Sequence, residues 1–162
     1  MISRRQMFSA GAALAVAMLF GTAGTARAEL QNPRLQKALQ MLELTRGQLD
    51  AAIRQDPPDI RDGARETATE VDAAAHEIVE VMSAMGTRRQ VEPIRAEPTA
   101  HPMRAARESL NQGMGEFTRG LTPEDFHNRP RLQAALDHMH AAMDRADRWS
   151  HREDEVIRHE RR

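Results

Sequence analysis

Apolar residues recur in this chain at three- and four-residue steps and almost nowhere at alternate positions, a pattern that predicts helices and no strands. Asn32 caps and Pro33 opens a first predicted helix, with Leu35, Ala38, Leu39, Leu42, Leu49 and Ile53 on one face. Asp56-Pro57-Pro58-Asp59 breaks it. A second helix is expected from Asp59 to Met85, striped by Ile60, Ala64, Ala68, Val71, Ala75, Ile78, Met82 and Met85 and stopped by Gly86. Residues 87–101 carry Pro93 and Pro98 and no period, so they read as an extended crossover linker. Pro102 opens a shorter helix with Met103, Ala106, Leu110, Met114 and Phe117 inward, weakened by Gly113 and Gly115. Thr122-Pro123-Glu124-Asp125 reads as a capped helical turn, and Pro130 starts a last helix carrying Leu132, Leu136, Met139, Met143, Ala146 and Trp149. Stripes of this kind must bury one another. The expected fold is all-α: an antiparallel bundle of about four helices with a proline-containing crossover, forming one domain over residues 29–162. Residues 150–162 read as a charged tail that frays.

The first 28 residues follow a different pattern. Ser3-Arg4-Arg5-Gln6-Met7-Phe8 is a basic start, Ala10 to Phe20 an apolar run, and Ala26-Arg27-Ala28 a small-x-small cleavage site before Glu29. An apolar run of about 11 residues is too short for a bilayer that needs about 20, so no stable membrane anchor is expected after cleavage. The paired arginines resemble a twin-arginine export signal, with the general secretory route as the alternative. The expected location is periplasmic, and the twin-arginine route would imply folding before export.

Cleavage takes three arginines and no acid from a chain of 23 basic and 24 acidic residues, leaving a net charge of −4 with histidine neutral. That offers no basic field for nucleic acid or an anionic membrane. With no cysteine, no disulfide can form, and packing must supply the stability.

Candidate chemistry lies on the last helix. Asp137, His140, Asp144, Asp147, His151 and Asp154 share one stripe beside the apolar seam, and imidazole with carboxylate at i, i+4, as in His140/Asp144 and Asp147/His151, can hold zinc or copper. On the second helix His76, flanked at i±4 by Asp72 and Glu80, repeats the spacing and is a further candidate. The competing reading of both stripes is a solvated charged face. His101, before a proline, His127, in a turn, and His159 read as polar surface residues. The methionines fall mainly on core stripes and read as packing. There is no phosphate loop, no nucleophile beside an oriented base and no covalent haem motif, so catalysis is not expected.

Leu44-Thr45-Arg46-Gly47-Gln48 resembles the Leu-Thr-x-x-Gln motif of the periplasmic Spy and CpxP family of small helical stress proteins, and Leu121-Thr122-Pro123-Glu124-Asp125 is a second copy with Asp125 at the glutamine position. The resemblance implies a strand-free fold and binding of unfolded clients or sensing of envelope damage. The chain is also similar to small periplasmic metal-binding four-helix proteins, which implies contacts through Asp137, His140, Asp144, Asp147 and His151. The expected function is therefore binding: a divalent metal or copper first, an unfolded client or protein partner second, and an accessory role to an exported cofactor-bearing partner third.

Overall fold

The computed structural model describes the backbone of residues 17–87, 92, 94–119 and 121–160, and side-chain surroundings within these between residues 33 and 159. It is an all-α bundle: α1 (Ala17–Gln55), α2 (Pro58–Ala84), α3 (Pro102–Thr118), the short α4 (Pro123–Asn128) and α5 (Pro130–Glu160), with no strand among the described residues. Arg4 and Arg5 lie outside the described residues.

The first helix does not open at Pro33, as the sequence pattern suggests. α1 is already helical at Ala17 and carries Pro33 inside it, so Ala26 and Ala28, where cleavage is expected, have helical backbone. The alanines of residues 17–32 favour helix, and one interior proline removes a single backbone hydrogen bond at a cost that a long helix can absorb. No described helix is long and apolar enough to cross a membrane.

The helices pack as a ring in the order α1, α2, α5, α3. Every neighbour is antiparallel. Thr45 meets Ser109 while Arg34 meets Arg119, Gly63 meets Trp149 while Glu77 meets Arg131, and Met103 meets Glu153 while Arg107 meets Asp147. α2 and α3 therefore occupy a diagonal and run the same way. The chain between them must return the length of the bundle, and the crossover does so along α1: Gln40 Nε2 donates to the Glu92 carbonyl at 3.4 Å, and Ala96 packs on Gly47.

The predicted stripes form one core, in which Leu39, Leu42, Ile78, Leu110, Leu132 and Met139 are fully buried. Gly86, at φ 71°, ends α2 with the paired bonds of a Schellman motif, Thr87 N–H to the Met82 carbonyl at 2.9 Å and Gly86 N–H to that of Ser83 at 3.0 Å. Gly113 serves packing: a Cβ there would lie 3.1 Å from the Met41 Cβ, so its absence lets α3 approach α1 closely. At one end of the bundle α4 lays Phe126 edge-on to Phe117, with ring centroids 6.4 Å apart. The other end carries charge.

Candidate cation site at one end of the bundle

Three chain-remote pieces meet at that end. Asp56 stands in the turn between α1 and α2, where Pro57 and Pro58 stop one helix and start the next. His101 is the N-cap residue of α3, kept out of the helical region by the proline that follows it, and its side chain makes no capping bond. Glu153 and Asp154 lie on the last turns of α5, in the segment expected to fray, which is helical to Glu160.

Glu153 is the key placement. It follows Ala146 and Trp149 by seven and four positions, so it sits on the apolar stripe of α5, and it is only 1% exposed. Its carboxylate supplies what His101 does not: Oε1 accepts the Met103 amide at 2.9 Å and Oε2 the Arg104 amide at 3.2 Å, capping α3 from another helix. The Arg104 guanidinium in turn grips Asp154 Oδ2, leaving Oδ1 toward His101 Nδ1 at 3.5 Å.

Negative charge is in excess here. Burial, then repulsion from Glu153 and a hydrogen bond that needs one proton between the two carboxyls, push Asp56 up to about 6, against the opposing pull of His101. Glu153 is also raised, by burial first, although the Met103 and Arg104 amides and the Arg104 charge pull it down. Asp56 Oδ2, His101 Nδ1 and Asp154 Oδ1 are buried atoms without a hydrogen-bond partner. Two carboxyls that face one another, as Asp56 and Glu153 do, are relieved by a shared proton or by a cation. Ligand atoms of His101, Glu153 and Asp154 lie within 4.8 Å of one another, and they are the one group of three or more such residues so placed among the described residues. One imidazole nitrogen and carboxylate oxygens form a donor set suited to zinc or copper(II).

The stripe candidates stay apart. Asp137, His140 and Asp144 are exposed, and Asp137 accepts a hydrogen bond from Gln133 at 2.7 Å. Asp147 holds Arg107 Nε at 2.6 Å, and His151, 76% exposed, reaches it only at 4.0 Å. His76 lines a shallow groove between α1 and α2 with Arg46 and Asp72, facing away from α5. The α2–α5 seam is instead filled by ion pairs, Glu70 with His138 at 2.7 Å and with Arg145, and Glu77 with Arg131 at 2.9 Å. Reading the sequence stripe by stripe places Asp154 on the α5 stripe but misses Asp56, His101 and Glu153, because the four converge only through the fold. The available signal was a carboxylate on the core stripe of α5.

The Leu-Thr-x-x-Gln residues have structural partners. Thr45 Oγ1 donates to the Met41 carbonyl at 2.8 Å and lies 2.8 Å from Ser109 Oγ, which also reaches Gln48 Oε1 at 2.6 Å, a polar link between α1 and α3. In the second copy, Asp125 Oδ2 accepts the Thr122 amide at 2.8 Å in the capping box of α4. Comparison with protein-family models, with curated proteins and with solved structures finds no match.

Proposed function

We propose that the protein is an exported helical-bundle protein that binds a divalent metal ion, zinc or copper, at the end of the bundle formed by His101, Glu153 and Asp154, with Asp56 alongside. The observation that carries this reading is the convergence of ligand atoms of His101, Glu153 and Asp154 within 4.8 Å of one another, with the buried Asp56 Oδ2 without a hydrogen-bond partner. Net negative charge at the site would favour cation entry, and the Arg104 grip on Asp154 holds that carboxylate in place.

Calorimetric titration of the purified protein with Zn²⁺ tests it. One site per chain, tighter than about millimolar, is expected, lost in His101→Ala and retained in a His140→Ala/His151→Ala double variant. Absence of binding, or loss only in the double variant, overturns the reading. Export by the twin-arginine route belongs to the same proposal and predicts that an Arg4→Lys/Arg5→Lys variant stays in the cytoplasm.

A second reading, binding of an unfolded client or a protein partner, is favoured by the groove between α1 and α2, floored by Leu39, Leu42, Val71 and Val79. It predicts that the protein suppresses aggregation of an unfolded substrate and that a charged residue at Val79 removes this effect.

A further inference from the structure

Resting on the cation reading, we infer that the site is a clasp: its occupancy fastens residues 94–101 of the crossover, a strap along α1, to the bundle. Among the described residues the strap has few other contacts. Ile94, Arg95, Glu97, Pro98 and Ala100 are all exposed. The described contacts along it are sparse: Ala96 against the bare face of Gly47, where a Cβ would come to 3.2 Å, and the Thr99 hydroxyl accepting the His101 amide at 3.2 Å. A segment with so few buried apolar contacts opens at low cost.

The strap's downstream end is different. Pro102 and Met103 are buried and α3 is capped by Glu153, so the last free joint of the strap is His101. The His101 ring makes no hydrogen bond through Nδ1, and its approach to Asp154 at 3.5 Å is loose. A metal ion would replace that with bonds of about 2 Å to His101, Glu153 and Asp154 together. It would also offset the repulsion between the Asp56 and Glu153 carboxyls. Residues from the crossover and from α5 would then move as one body. The strip of α1 around Gly47, which the strap covers, would be exposed or hidden according to cation occupancy.

Trypsin cleavage after Arg95 and hydrogen exchange of residues 94–101, each with and without Zn²⁺, test the clasp alongside the calorimetric titration. The expected result is cleavage at least about tenfold slower at saturating Zn²⁺, with slowed exchange confined to the strap and the neighbouring turn of α1. His101→Ala and Asp154→Asn should each abolish this protection. Gly47→Val, which pushes Ala96 away, should leave Arg95 readily cleaved in the absence of Zn²⁺ while Zn²⁺ still binds. If Zn²⁺ binds but Arg95 cleavage is unchanged, or if slowing spreads equally over α2 and α4, the clasp is overturned and the cation site stands. If Zn²⁺ does not bind, the cation site falls and the clasp with it.

Discussion

The Glu153 carboxylate accepts the Met103 amide at 2.9 Å, so a residue near the end of α5 does the work that a local cap performs for most helices. It places a carboxylate on the apolar stripe of α5 and ties the start of α3 to it. Glu153→Ala should therefore destabilise the fold by about 2 kcal/mol, because it leaves two buried amides without acceptors. Glu153→Gln keeps one acceptor and removes charge, and should cost much less. Urea unfolding of the three proteins compares them directly.

Asp56 gives the fold an acid preference in one window. Its folded-state pKa is pushed up to about 6, above its ordinary value of 3.8, so its stabilising contribution is full below the ordinary value and is lost as pH rises through about 6. Glu70 has the opposite sign: His138 and Arg145 hold it below its ordinary value of 4.5, so its contribution is lost only as pH falls below that range. The two windows barely overlap, and Asp56 should make the protein more stable at pH 5 than at pH 7.5. Asp56→Asn should raise stability at pH 7.5 by about 1 kcal/mol, discounted for the solvent screening of a half-exposed group, and flatten the profile. Thermal melts across that range, in a metal-free buffer, check both.

Gly63 and Trp149 are fitted to each other. A Cβ on Gly63 would fall 2.2 Å from the indole, so Gly63→Ala cannot be accommodated without moving the ring. The gain in helix propensity, about 1 kcal/mol, should be outweighed by overpacking of about 1–3 kcal/mol or more. Trp149 is the single tryptophan, and its emission should shift to longer wavelength in that variant as the ring is displaced toward water.

The Thr45–Ser109 pair predicts a coupled mutant series. Thr45→Val alone removes one of the Ser109 hydroxyl's partners, Gln48 Oε1 and the Ala106 carbonyl remaining, and should cost about 0.5–1.5 kcal/mol. With Ser109→Ala added the lost contact is the same one, so the double variant should cost less than the sum of the two single changes. Denaturant midpoints of all four proteins measure that coupling.

Much of the fold was legible because it repeats. Leu35 to Leu49, Ile60 to Met82 and Leu132 to Ala146 announce their buried faces by spacing alone, and Gly86 and Thr122 announce helix ends through local backbone chemistry. The continuation of α1 upstream of Pro33 was not legible, since proline is equally at home in the first turn of a helix and tolerable inside a long one. The site was hidden for a different reason. Asp56, His101 and Glu153 are 45 and 52 residues apart in sequence, and only the diagonal placement of α2 and α3 brings them to one end. The regular Asp and His spacing on α5 looked like a ligand set. It faces solvent, where such spacing is cheap, and Arg107 already occupies Asp147.

The most direct measurement of the cation site is the set of imidazole nitrogen signals of the protein's seven histidines during Zn²⁺ titration. His101 should shift first and saturate at one equivalent, while His76, His140 and His151 stay in place. A first shift at His140, His151 or His76, or no shift at His101 as the metal is added, would contradict the account.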